Sequence, residues 1–260
     1  MDLAGAFIHR VVGSISPQWE LRLLWARSQG DAAGKAVIDA AVRPGDTVVD
    51  VGANFGLYTA RLARLVGPGG TVYAFEPHPA YGPALSRIAA KSANVTFVGA
   101  AASDAPGAAR LAVPERGQNT YMGSLQSRGG DHAVIEVPAT TLDLELGGRS
   151  GIRLIKCDVE GHEHEVFIGA EQTLRRDHPI LFVEIEQRHR RRPVQDTFGF
   201  LTELGYEGYM MRQATPRPLS EFEVERDQTA HIADDPTVGL PPPEYVNDFL
   251  FIPAGSSLPL

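Results

Sequence analysis

The feature that most constrains this chain is an alternation of short apolar runs with amphipathic stretches, beginning at Thr47. Thr47-Val48-Val49-Asp50-Val51, Thr71-Val72-Tyr73-Ala74-Phe75, Val95-Thr96-Phe97-Val98, Ile152-Arg153-Leu154-Ile155-Lys156-Cys157 and residues 180–185 are each bounded by turn residues. Such short, nearly continuous apolar runs read as strands buried on both faces. Between them, residues 56–66, 79–91 and 163–176 carry helical periodicity. Strands alternating with helices imply right-handed crossovers and a mostly parallel sheet covered on both sides. Residues 206–211 and 245–252 read as a closing strand pair after a helix at 197–204. The expected fold is therefore α/β, a doubly wound and mostly parallel sheet.

Three stretches depart from this rhythm. Residues 1–45 read as an N-terminal helical cap, with Trp19 and Trp25 packing inside it and Asp31 capping a helix over 32–42. The turn Arg43-Pro44-Gly45-Asp46 joins the cap to the main domain, residues 46–260. Residues 105–150 insert two β-like runs, 109–113 and 134–138, around a polar Gly-rich loop. Residues 213–244 are rich in proline and acid.

Lys plus Arg number 24 against 32 Asp plus Glu, a net charge of −8. Such a chain is a poor general binder of nucleic acid or of an anionic membrane. One cysteine, Cys157, excludes an internal disulfide and a cysteine-based zinc cluster, and it reads as a small buried residue. No apolar run reaches the roughly 18 residues of a membrane helix, and no basic flank precedes the first apolar stretch, so a cytoplasmic location is expected.

The chemistry concentrates in Asp50-Val51-Gly52-Ala53-Asn54-Phe55-Gly56, which joins the first strand to the first helix. Gly52 permits a tight turn and close approach of a ligand. Gly56 opens the helix. About 20 residues on, the second strand ends in Glu76-Pro77, where a carboxylate can accept both hydroxyls of a ribose. The glycines are spaced GxxxG, and Asp50 precedes them. A pyrophosphate would be repelled by that carboxylate, whereas a cationic ligand would be held. S-adenosylmethionine, with a sulfonium, an ammonium and no phosphate, meets that requirement.

These residues resemble the FkbM-type family of S-adenosylmethionine-dependent class I methyltransferases. The matching stretches are DVGANFGLYT at 50–59, AFEP at 74–77, AASD at 101–104, LIKCDVEGHE at 154–163, HPILFVEI at 178–185, Thr141-Leu142-Asp143 and NDFLFIP at 247–253. The resemblance implies a Rossmann-like seven-stranded sheet with a reversed last strand, and O-methylation of a small-molecule hydroxyl, often on a sugar or natural product. It places Asp50, Gly52, Asn54, Gly56 and Thr59 around the methionine part of the cofactor, with Ala53 in the same loop. Glu76, followed by Pro77, would bind the ribose. Ser103 and Asp104 would lie near the adenine, and Asp158 near the methyl group. His162 and His164 stand where the family usually has small, apolar or aromatic residues.

Methyl transfer needs alignment and exclusion of water, and a hydroxyl acceptor must also lose a proton. Lys156, Asp158, Glu160 and His162 fall at the carboxyl edge of the fourth strand, where ligands of doubly wound sheets lie. His162 is the candidate base, since imidazole titrates near neutrality. A solvated histidine at a helix start is the plainer alternative. Glu160 and Glu163 could simply complement that helix N-terminus. Glu184, His189 and a loop carrying Asn119 and Ser124 are candidate contacts to the acceptor. The run His189-Arg190-Arg191-Arg192 is a solvated basic face or a holder of an acidic group. Asp158, Glu160 and Glu184 could instead converge on Mg²⁺, which the resemblance does not demand. A carboxylate or nitrogen acceptor, a nicotinamide-dependent oxidoreductase, a binding-only domain and a homodimer formed through the N-terminal helices also stay open.

Overall fold

A computed structural model describes residues 32–114, 132–212, 214–231 and 244–258. Trp19, Trp25, Asp31, Asn119 and Ser124 lie outside these described residues. The strands of the main sheet are β1 (Thr47–Val51), β2 (Thr71–Phe75), β3 (Val95–Val98), β7 (Ile152–Cys157), β8 (Ile180–Glu184), β9 (Tyr206–Arg212), β10 (Thr215–Pro218) and β11 (Asp248–Pro253). Their order across the sheet is β10-β9-β11-β8-β7-β1-β2-β3. Strands β3, β2, β1, β7 and β8 run parallel, and β11 inserts antiparallel between β8 and β9.

The seven expected strands are thus present, with the last one reversed. An eighth, β10, folds back on β9 at the sheet edge. Its sequence, Thr215-Pro216-Arg217-Pro218, hides it from pattern reading. Proline cannot donate to a ladder, so it argues against a strand except at an edge, and an edge is where β10 lies.

Alternation along each strand divides the core into two layers. Val48, Val72, Leu154, Ile180 and Leu250 face one side, where they pack with α1 (Ala32–Ala41), α2 (Leu57–Val66) and α3 (Gly82–Lys91). Val49, Val51, Phe75, Ile155, Cys157 and Val183 face the other. There they meet α4 (Leu142–Leu146), α5 (Glu163–Ile168), α6 (Glu171–Asp177) and α7 (Val194–Glu203). Val37 and Ile38 of α1 are fully buried in the first layer, so this helix belongs to the same core as the strands.

Two expectations change in detail. The helix read over 163–176 is two helices, α5 and α6, broken at Gly169 and Ala170. A side chain on Gly169 would run into the carbonyl of Ser103, so the break is a close approach between segments distant in sequence. The inserted region is a separate three-stranded sheet, ordered β4-β6-β5, of β4 (Ala101–Ala102), β5 (Gly107–Pro114) and β6 (His132–Thr140). Strands β5 and β6 pair antiparallel, with Leu111 opposite Ile135. Among the described residues, no helix is long and apolar enough to cross a membrane.

Candidate active site

The chain runs outward from β1 to β2 to β3, then returns to β7 on the opposite flank of β1. Loops leaving β1 and β7 diverge there, and ligands of open α/β sheets bind at such a point. Gly52 and Asp158 meet at this switch. The Asp158 amide donates to Val51 O at 3.0 Å. Gly52 has φ +75°, and a Cβ there would collide with the Asp158 carbonyl. Glycine is therefore required twice over, for its left-handed backbone and for the missing side chain. Asn54 follows at φ 50°, a conformation that asparagine tolerates.

Beside this junction opens a cleft that faces solvent. Gly52, Asn54, Glu76, Pro77, Asp158 and Glu160 line it, all of them among the residues singled out from sequence. Glu76 is the most firmly oriented. Its Oε2 accepts from the Asn54 amide at 2.8 Å and its Oε1 from the His78 amide at 2.8 Å. Burial raises its carboxyl to about 7, against the opposing pull of those two amides. Each oxygen retains a further lone pair for a hydroxyl donor.

The rest of the wall was not legible as a site. Phe75, Ala101, Ala102 and Leu111 give the wall apolar surface, and His78 and Tyr81 add two aromatic rings. The His78 and Tyr81 rings lie 4.7 Å apart, and Phe55 stands 4.5 Å from Tyr81. His78 and Tyr81 follow Glu76 closely in sequence, so that loop carried a usable signal. Leu111 comes from the inserted sheet, and no local pattern links it to the cleft.

Three expected site residues lie beneath the cleft instead of in its wall. Asp50 is fully buried. Its Oδ2 accepts from the Thr59 hydroxyl at 2.6 Å, and its Oδ1 lies 3.8 Å from Lys156 Nζ. The protein cation facing Asp50 is Lys156. Lys156 Nζ also donates to the Gly52 carbonyl at 3.2 Å and lies 3.3 Å from Asp158 Oδ2. Burial would lower the Lys156 ammonium, but Asp158 and Asp50 outweigh it and hold it charged well above its usual range. Lys156 is an internal clamp joining the loops after β1 and β7. Gly56 turns its back to the cleft, toward Leu85 and Ile88 of α3, and Ala53 is buried in that same layer.

His162, Ser103 and Asp104 form a group beside the cleft. His162 Nε2 is 2.9 Å from Ser103 Oγ, and Ser103 Oγ donates to Asp104 Oδ1 at 3.0 Å. His162 Nδ1 faces Glu165 Oε2 at 3.6 Å. Burial lowers the imidazole pKa, with Glu165 and Asp104 opposing. Glu163 accepts from the Gly161 amide at 2.8 Å and pairs with Arg190 at 3.1 Å, both side chains almost wholly buried. Arg190 also donates to the Thr197 hydroxyl at 2.8 Å. The basic run is thus not a uniform solvated face, because Arg190 points inward. His164 lies apart from His162, 3.4 Å from Thr197 and edge-on to Phe200.

Carboxylates crowd the remaining edge. Burial, then Asp158, Glu186 and Glu163, push the Glu160 carboxyl well above its ordinary range. Burial, then Asp158 and Asp248, does the same to Glu184, which accepts from Asn247 at 2.7 Å. Glu186 goes the other way. Burial opposes its charge, yet His189 and Arg188 hold its carboxyl down to about 2. Arg188 contacts it at 2.6 Å, and the Tyr245 hydroxyl donates to it. His189 Nε2 stands 3.1 Å from Glu160 and 3.5 Å from Glu186. The trio Asp158, Glu160 and Glu184 weighed for Mg²⁺ is not the set the fold assembles. Among the described residues, the ligand atoms that converge within 4.8 Å belong to Glu160, Glu186 and His189.

Known proteins match this chain over the same regions. FkbM of Streptomyces tacrolimicus, the 31-O-demethyl-FK506 methyltransferase, is 31% identical over 162 residues, 51% of this chain and 62% of that protein. The crystal structure of methyltransferase FkbM from Methylobacillus flagellatus KT matches with TM-score 0.50 at 17% identity, over 96% of this chain and 61% of that one. Aeropyrum pernix fibrillarin, in complex with natively bound S-adenosyl-L-methionine, matches with TM-score 0.50 at 14% identity, over 88% of this chain and 75% of that one. The two structural likenesses show the fold, that of class I methyltransferases. The chain spans about three fifths of the length of the two FkbM proteins. The methyltransferase FkbM domain model matches residues 50–207, from the acid before the glycine loop to the strand after α7, and this chain belongs to that family.

Proposed function

We propose that this protein transfers a methyl group from S-adenosylmethionine to a hydroxyl of a small molecule, a sugar or natural-product intermediate. The observation that carries the reading is Glu76, held by two backbone amides in the wall of an acidic cleft beside the glycine junction. The donor set fits this cofactor. A carboxylate suits a ribose diol, the apolar lining suits a flat adenine ring, and Asp158 suits a sulfonium and ammonium. None of these groups suits a phosphate. Support also comes from membership of the FkbM domain family and from the cofactor held by the fibrillarin neighbour.

When bound, the cofactor supplies a methyl group on a positively charged sulfur, already activated for in-line displacement. The chain's own residues position the partners and take a proton. Lys156 holds the loops after β1 and β7 together and stays charged, so it is not the base. His162 has its Nε2 on Ser103 and does not line the cleft. Glu160 does line it, and its raised carboxyl brings a carboxylate closer to the pH at which a hydroxyl proton is exchanged. Glu160 is therefore our candidate proton acceptor, with His189 3.1 Å away to stabilise either charge state. A carboxylate acceptor would meet Asp158 as a like charge, whereas a hydroxyl or an amine would not.

The test is calorimetric titration with S-adenosylmethionine, with NAD run alongside. The expected result is micromolar binding of the former that weakens at least tenfold in Glu76→Ala. Absence of binding, or preference for NAD, would overturn the reading. Methyl transfer to a panel of hydroxyl and amine acceptors then separates the two acceptor classes.

A further inference from the structure

The group formed by His162, Ser103, Asp104 and Glu165 has a fixed direction of hydrogen bonding. The Ser103 hydroxyl has a single proton, and it donates it to Asp104 Oδ1 at 3.0 Å. Ser103 Oγ must then accept from His162, so Nε2 of that ring carries a proton. The other nitrogen, Nδ1, is buried, makes no hydrogen bond and faces Glu165 at 3.6 Å. Neither nitrogen offers a lone pair to the cleft. The groups acting on this ring are Glu165, Asp104 and Arg190. Adding a proton at Nδ1 would leave the Nε2 donor in place, so the bond to Ser103 exists in both charge states.

The main chain of Ser103 is held independently, its amide donating to the Thr140 carbonyl at 2.8 Å. What His162 adds is the orientation of the Ser103 side chain and, through it, of the Asp104 carboxylate. That carboxylate is exposed and lies two residues after Ala102, which with Ala101 lines the cleft. A carboxylate that close in sequence to an apolar wall is suited to the exocyclic amine of an adenine packed on that wall.

We propose that His162 is a positioning residue for the cofactor, fixing Asp104 at the adenine end through Ser103, and is not the base of the reaction. This rests on the reading that the cleft takes S-adenosylmethionine. Glutamine places an amide donor near the position of Nε2, whereas asparagine places one near Nδ1. His162→Gln should therefore bind S-adenosylmethionine within about twofold of the unsubstituted protein, and His162→Ala and His162→Asn about tenfold more weakly. Ser103→Ala should match His162→Ala, and the double variant should lose little more. The ratio between the parent and His162→Ala should stay constant from pH 6 to 8.5. Unchanged binding in His162→Ala, failure of Gln to rescue, or a ratio that collapses at one end of the pH range would each overturn the proposal. Long-range ¹H–¹⁵N spectra of the imidazole test it without any ligand. A protonated Nε2 and a bare Nδ1 are expected, and the opposite tautomer would sink it. If the parent protein fails to bind S-adenosylmethionine while the tautomer is as expected, the cofactor reading has failed and with it the assignment of His162, but not the hydrogen-bond direction.

Discussion

The two flanks of the switch point between β1 and β7 hold their acids in opposite ways. On the β1–β2 flank, Glu76 is held by amides of Asn54 and His78, and Asp50 by Thr59 and Lys156. Most of these partners are near neighbours within two loops. On the β7–β8 flank, Glu163 depends on Arg190, Glu186 on Arg188 and Tyr245, and Glu184 on Asn247. There, partners come from two segments, the loop after β8 and the stretch that leads into β11. A site held by backbone amides is fixed once the loop folds, whereas a site held by distant side chains is fixed only when the whole sheet closes.

The comparison breaks most visibly at Arg190. Arg190→Met would leave Glu163 buried beside an apolar side chain. Removing one partner of a buried ion pair costs about 3–5 kcal/mol. The pair links the loop after β7 to that after β8, so denaturant unfolding should show the loss as a lower midpoint. Adding Glu163→Gln removes the stranded charge and should recover more than half of it. If Arg190→Met alone costs under about 1 kcal/mol, the β7–β8 flank does not depend on this tertiary pair as we argue.

Gly52→Ala tests the other flank. It strains a backbone at φ +75° and drives a Cβ into the Asp158 carbonyl. Strain and overpacking each cost about 1–3 kcal/mol, so a loss of about 3 kcal/mol is expected. Binding of S-adenosylmethionine should fall further than stability does, because the two loops that part are the two that meet at the cleft. Gly205→Ala is the control. It also has positive φ, +90°, but with no atom within 4 Å, so it should show the strain cost without the collision.

The same contrast explains what could be read from the sequence. The alternation of apolar runs with helices reveals the parallel core, because β1, β2, β7 and β8 are buried on both faces and their composition records that directly. Gly52, Asn54, Glu76, Asp158 and Glu160 were legible because they stand at strand ends, where period and turn residues locate them. Their neighbours His78 and Tyr81 were within reach of the same reasoning. The inward turn of Arg190 was not, since a run of arginines looks the same whether its middle member faces solvent or Glu163. Nor was the capture of Asp50 by Lys156, because the two lie more than a hundred residues apart and meet only through the register Asp50↔Lys156 between β1 and β7. Proline in β10 concealed the eighth strand, and the Gly169 contact with Ser103 concealed the break between α5 and α6.

The smallest effect, and the sharpest for the cofactor flank, is in pH. Glu76 has its carboxyl raised from 4.5 to about 7 in the unliganded fold. A ribose diol donates to the ionised form, so the ligand must displace a proton below that pH. Affinity for S-adenosylmethionine should therefore fall about tenfold between pH 8 and pH 6. Stability of the unliganded protein runs the opposite way. A raised folded pKa contributes stability that is fully present below 4.5 and is lost as pH rises through about 7. Glu76→Gln should flatten both trends, with binding weakened at pH 8 and little changed at pH 6. Calorimetry and thermal unfolding across that range read the two slopes separately. Parallel slopes, or a binding slope that survives Glu76→Gln, would place the titrating group elsewhere, with the acids of the β7–β8 flank as the next to substitute.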